Sequence, residues 1–143
     1  MRDKLIEKTL QEALGNGKNV WVIGDVHGFN KTLRSLVEKI DLQEGDYVVL
    51  LGDLIDRGPN SYDVVQFAKN SDNIVCVKGN HEKMMIETFS SQGLESPKMD
   101  LATWLYNGGL ATATSYINAY TDKTGNELTE LLDLAIEEDK VWM

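Results

Sequence analysis

Asp25 and His27, then Asp53, then the adjacent pair Asn80 and His81 are residue types that bind divalent metals, and all fall in three short glycine-flanked runs. The runs are Gly24-Asp25-Val26-His27-Gly28, Gly52-Asp53-Leu54-Ile55-Asp56-Arg57-Gly58 and Gly79-Asn80-His81-Glu82. Two divalent ions about 3.5 to 4 Å apart can share one carboxylate, polarise a phosphoryl group and hold a hydroxide for in-line attack. In such a site Asp53 is the natural bridge, Asp25 and His27 serve the first ion, and Asn80 offers a neutral oxygen to the second. Mixed nitrogen and oxygen donors suit Mn, Fe, Zn or Co better than Ca, and do not choose among them. Arg57 can fork to two phosphate oxygens, a geometry that lysine cannot supply. His81 follows a ligand and can protonate a leaving oxygen, with Asp56 orienting and charging its ring. Each run alone is ambiguous, since Gly-Asp at a strand end is often only a turn; the three together imply metal-assisted hydrolysis.

Such residues must be brought together by the elements that precede them. Val20-Trp21-Val22-Ile23, Tyr47-Val48-Val49-Leu50-Leu51 and Asn73-Ile74-Val75-Cys76-Val77 are continuous apolar runs of strand length, the pattern of strands buried on both faces of a parallel sheet. Between the first two, Leu33, Leu36, Val37 and Ile40 form one apolar helical stripe after Asn30, a plausible N-cap. Between the second and third, Val64, Val65 and Ala68 follow the start signal Pro59-Asn60-Ser61. The result is a βαβαβ unit, whose right-handed crossovers carry the loops after all three strands to one sheet edge. The three runs occupy those loops, so they are expected to converge.

Beyond Glu82 the pattern turns helical. Met85, Ile86 and Phe89 form a stripe, Gln92 to Pro97 breaks it, a segment around Trp104 ends at Gly108-Gly109, and a further helix has Leu128, Leu131, Leu132 and Ala135 at core spacing. Met84, Met85 and Trp104 read most simply as core, and Glu137 to Asp139 as a solvated charge run. That run has the wrong sign for a helix C-terminus, and Val141-Trp142-Met143 follows without a stop signal, so the chain is expected to be cut short or to pack back on itself.

Composition narrows the classes. With 143 residues, 42% hydrophobic and 26% charged, the chain has the length and balance of a single globular domain, residues 1–143. Fourteen basic against 23 acidic residues give a net charge of −9 without a basic cluster, so nucleic acid is not an expected partner. No apolar run approaches the roughly 20 residues that span a bilayer, and the N-terminus leads into an amphipathic helix rather than a signal-peptide core. A membrane is therefore not expected, and the location expected is cytoplasmic. The single cysteine, Cys76, reads as a buried strand residue.

The three runs resemble the leading signatures of the calcineurin-like metallophosphoesterases, and most of all those of the bacterial and phage serine/threonine protein phosphatases. The resemblance covers roughly residues 20 to 118, including Trp104 and Asn107-Gly108-Gly109. It implies two divalent metal ions, Mn first with Fe or Zn as alternatives, and a phosphoprotein or small phosphoester substrate. It assigns Asp25, His27, Asp53 and Asn80 as ligands, Arg57 and Asn80 as phosphate contacts, and His81 with Asp56 as the acid pair. Symmetrical diadenosine tetraphosphate hydrolases are close relatives, but usually have Ala in place of Asp56 and Asp in place of Glu82. The fold implied is α/β: part of the metallophosphoesterase sandwich, a βαβαβ parallel sheet plus C-terminal helices, with the second sheet largely missing. Family members supply further metal-binding histidines and usually another arginine from a C-terminal half, whereas this chain has only His27 and His81. The domain is thus expected to be incomplete at its C-terminus, the second metal short of ligands, and the chain weakly active or inactive. An uncovered sheet face invites self-association or a C-terminal partner. A noncatalytic phosphate- or protein-binding module is the alternative of a different class.

Overall fold

A computed structural model describes residues 4–89 and 100–124, with side chains up to residue 120. Helix α1 (Lys4–Gly15) leads into strand β1 (Val20–Ile23), followed by α2 (Asn30–Ile40), β2 (Tyr47–Leu50), α3 (Ser61–Lys69), β3 (Ile74–Cys76) and α4 (Asn80–Phe89). Then come α5 (Leu101–Trp104), a wide turn at Leu105–Gly109 and α6 (Leu110–Thr124). The strands lie in the order β1-β2-β3, all parallel, with Val22 opposite Val49 and Val49 opposite Val75. The βαβαβ unit expected from the apolar runs is therefore present, and it is the one sheet among the described residues.

Side-chain alternation separates the two faces of this sheet. Val48, Leu50 and Ile74 point into a core built with Leu33 of α2, Val64, Val65 and Ala68 of α3, Met85 of α4 and Trp104 of α5. The opposite row is not sealed: Val49 and Val75 are half-buried and Val22 is 61% exposed. The ladder continues as Leu51 N–H donates to Ile23 O and Val77 N–H to Leu50 O, so the alternation carries Leu51 and Val77, each 51% exposed, onto that same open face. Burial on both faces, expected from continuous apolar runs, is thus corrected to burial on one. Run composition reports what each residue is suited to, not which neighbours cover it.

Several local expectations also change. Asn30 is the first helical residue rather than the cap: Phe29 takes the cap position, and the Asn30 Oδ1 accepts from Arg34 Nε at 3.1 Å one turn on. Of the α2 stripe, Leu33 is buried but Leu36 is exposed. Gly108 does not end the helical region; at φ 113° it kinks the chain, which re-enters a helix at Leu110. A Cβ at Gly108 would press on the Arg57 backbone and Cγ at 2.9 Å, so glycine permits the close approach that α6 makes to the second run. Helix α6 carries no strong apolar period, yet Thr112, Ala113, Ser115 and Tyr116 are buried. Met85 and Trp104 are core as expected. The break at residues 92 to 97, the helix of Leu128 to Ala135 and the acidic terminus lie outside the described residues.

Candidate metal centre

The loops after β1, β2 and β3 converge and are stitched together by main-chain bonds. Val26 and His27 N–H both donate to Asp53 O, at 3.0 and 2.8 Å, and Gly28 N–H donates to Leu54 O at 2.7 Å. The third run joins through Glu82, whose fully buried carboxylate accepts from Asp53 and Gly79 N–H at 2.8 Å each and from Leu54 N–H at 2.7 Å. His81 N–H then donates to Asp53 Oδ1 at 3.0 Å. These contacts hold backbone that is otherwise unfavourable: His27, Asp53, Asp56 and Arg57 have φ of 46°, 49°, 70° and 67°. Left-handed non-glycine residues cost on the order of 1 kcal/mol each and persist where surroundings over-determine them, which is common at functional sites. Gly52, at φ 87°, lets the second loop pass against the backbone of Gly79, where a Cβ would collide.

One oxygen of Asp53 and one nitrogen each of His27 and His81 lie within 4.8 Å of one another. The two rings meet edge to face, with centroids 4.8 Å apart. Arg57 sits between them, its Nη1 2.9 Å from His27 Nε2 and its Nη2 3.1 Å from His81 Nε2. A guanidinium only donates, so both Nε2 atoms act as acceptors and both protons reside on Nδ1. That assignment agrees with the other side of each ring: His27 Nδ1 faces Ile55 O at 2.9 Å and His81 Nδ1 faces Asp56 Oδ2 at 2.7 Å. Each imidazole thus presents an Nε2 lone pair, held by a partner behind it, which is how histidine ligands are commonly oriented. Two such nitrogens and a carboxylate fit a transition metal or zinc.

Asp25 is 66% exposed at its side chain and reaches the edge of this group, with Oδ2 3.6 Å from His27 Nε2. Asn80 opens α4, exposed, next to His81. The tightest group therefore contains His27, Asp53 and His81, with Asp25 and Asn80 flanking it and Arg57 at its centre.

Behind His81, Asp56 is fully buried and surrounded by donors from separate elements. Its Oδ2 accepts from His81 Nδ1 and, at 3.2 Å, from Trp104 Nε1; its Oδ1 accepts from Thr112 Oγ1 at 2.7 Å. Its backbone N–H donates to Thr112 Oγ1 at 2.7 Å and to Ser61 Oγ at 3.2 Å. Trp104 is thus core and also a donor to the site. Glu82 and Thr112 were not given structural roles by the sequence, and Ser61 was read only as part of a helix start signal. For Glu82 a signal exists: it stands three residues after Gly79, the spacing at which an acidic side chain caps a helix start. Thr112 has none, because its partner lies 56 positions away. Cys76 ends β3 half-buried; burial, and secondarily the charge of Glu82, push its thiol up to about 12.

A parallel α/β sheet with a histidine and carboxylate cluster at its C-terminal edge defines a candidate metal-dependent hydrolase. The comparisons make this specific: residues 18–140 match the model of the calcineurin-like phosphoesterase family, and the chain belongs to that family. It is 32% identical over 121 residues to serine/threonine-protein phosphatase 2 of Escherichia coli, covering 84% of this chain and 48% of that protein. It is 38% identical over 96 residues to serine/threonine-protein phosphatase 1 of Salmonella typhimurium, covering 66% and 40%. It is likewise 38% identical over 82 residues to a symmetrical bis(5'-nucleosyl)-tetraphosphatase of an Enterobacter species, covering 56% and 29%. A solved structure of a putative diadenosine tetraphosphatase aligns with TM-score 0.45 at 22% identity, over 80% of this chain and 46% of the other. The chain spans about half the length, or less, of the curated relatives it matches. Among the described residues no helix is long and apolar enough to cross a membrane.

Proposed function

We propose that the chain carries the metal-binding and proton-transfer part of a cytoplasmic phosphomonoesterase of the serine/threonine protein phosphatase type, with Mn as its first metal. The observation that carries this reading is Arg57 lying between His27 and His81 while Asp56 backs His81. His27 and Asp53 would hold metal, with Asp25 and Asn80 beside them. A divalent ion bound there supplies charge to polarise the phosphoryl group and lowers the pKa of its water. Arg57, which has five donors in a fork, turns its N–H groups to the phosphoryl oxygens. Once Arg57 engages phosphate, His81 Nε2 is relieved of its donor and can take up a proton from solvent, which it delivers to the leaving oxygen. Asp56 accepts the hydrogen bond from Nδ1–H throughout and holds the ring in place as Nε2 exchanges its proton. Asp56 and Glu82 favour a protein phosphatase over the symmetrical tetraphosphatases, and the extent of the match to the phosphatase of Escherichia coli points the same way.

Hydrolysis of p-nitrophenyl phosphate, a phosphoserine peptide and diadenosine tetraphosphate with Mn tests the proposal. Weak turnover of the first two, reduced at least about a hundredfold in Asp53→Asn, is expected, and robust turnover would refute the shortage of ligands at the second metal. Preference for the dinucleotide would replace this reading with the tetraphosphatase one. A folded chain that binds one ion or none and turns over nothing would make it a noncatalytic binding module.

A further inference from the structure

We propose that Thr112 is a positioning residue for proton transfer by His81, acting through Asp56; the proposal rests on the phosphoester reading above. Asp56 is a fully buried carboxylate, so the direction of its two oxygens is set by the donors around it. Thr112 touches it at both ends: the hydroxyl is 2.7 Å from Oδ1 and 2.7 Å from the backbone nitrogen. A hydroxyl has one proton and two lone pairs. The carboxylate can only accept and the backbone N–H can only donate, so the proton points to Oδ1 and one lone pair receives the N–H. The remaining lone pair faces Ser61 Oγ at 3.0 Å, which makes Ser61 the donor of that contact. Every position on the Thr112 oxygen is then in use, and each has a definite sense.

Closing a ring from the Asp56 nitrogen through its side chain to Oδ1 restrains the χ angles of Asp56. It also steadies a residue at φ 70°, followed by Arg57 at φ 67°. Oδ2 is left directed at His81 Nδ1 and Trp104 Nε1. Without the hydroxyl, Oδ1 loses this donor and the backbone N–H keeps only the longer Ser61 contact. The carboxylate then gains a rotation that takes Oδ2 away from His81. A methyl in the same place fills space equally well, so packing and positioning predict different results.

Thr112→Ser, Thr112→Cys and Thr112→Val therefore form a graded series. The readout is the His81 Nδ1 proton in imidazole-labelled chain without substrate; the chain has two histidines, so His81→Asn identifies the signal. The native and Ser forms should retain it. Exchange with water should quicken about tenfold in Val, with Cys between, as expected when one charge-assisted contact is lost. A Val form that keeps the native signal, or a Ser form that loses it as Val does, overturns the assignment. If circular dichroism shows the Val form unfolded, Ser and Cys decide, and equal signals in those two overturn it. In assays with p-nitrophenyl phosphate, kcat should follow the same order with KM unchanged. A Thr112-dependent proton in a chain without turnover upholds the positioning role and sinks only the hydrolase reading.

Discussion

Arg57 has two partners that compete for it. Its guanidinium donates to His81 Nε2 and to the His27 Nε2 lone pair that a ligated ion must use, and it is also the group proposed to bind phosphate. Removing it should therefore move two affinities in opposite directions. Arg57→Ala is expected to tighten Zn or Mn binding several-fold in titration calorimetry, and to weaken phosphate as a competitive inhibitor by about tenfold or more. Equal weakening of both would show that Arg57 supports the loop instead of contending with metal.

Among the elements, the start of α4 and the start of β1 depend on buried carboxylates in different ways. Glu82 ties the loop after β2 to the N-terminus of α4 by accepting three short N–H bonds, so no cation is needed to satisfy it. Glu82→Gln keeps its shape but turns an NH2 toward N–H donors. Urea unfolding is expected to show a loss of about 2 to 3 kcal/mol, with weaker metal binding because Asp53 is no longer held. Asp46, whose carboxylate accepts from Asn19 and Gln43 N–H at 2.8 and 3.1 Å, links the chain entering β1 to the loop before β2. The Asn19 backbone contact, followed by that of Gln43, holds its pKa below the usual 3.8. A depressed carboxylate stabilises the fold above its unfolded pKa and loses that contribution as pH falls through the folded value. The thermal midpoint of the native chain should thus fall more steeply below about pH 4 than that of Asp46→Asn, and parallel curves would exclude this role.

For the molecule as a whole, the sheet is the asymmetric feature. One face carries the core, while Val22, Leu51 and Val77 leave an apolar strip open on the other. Contiguous exposed apolar surface commonly marks an interaction site, and we propose that this face self-associates when the chain is alone. Light scattering should show the apparent mass rising with concentration, and Val22→Lys should reduce the rise. A monomer at every concentration would remove the proposal.

How much of this was legible beforehand depends on the range of the interaction. Strand positions, the helices between them and the convergence of Asp25, His27, Asp53, Asp56, Arg57, Asn80 and His81 followed from local pattern and the handedness of crossovers, whereas α6 did not. Those are properties of consecutive residues and of chain geometry, so the sequence by itself determined them, together with family membership. Tertiary structure alone decided that one sheet face is open, that Gly108 lets α6 approach Arg57, and that Thr112 and Trp104 close around Asp56. It also decided the grouping of His27, Asp53 and His81 ahead of Asp25 and Asn80. Those outcomes depend on side chains tens of positions apart competing for the same few lone pairs and the same buried volume. No local period encodes that competition.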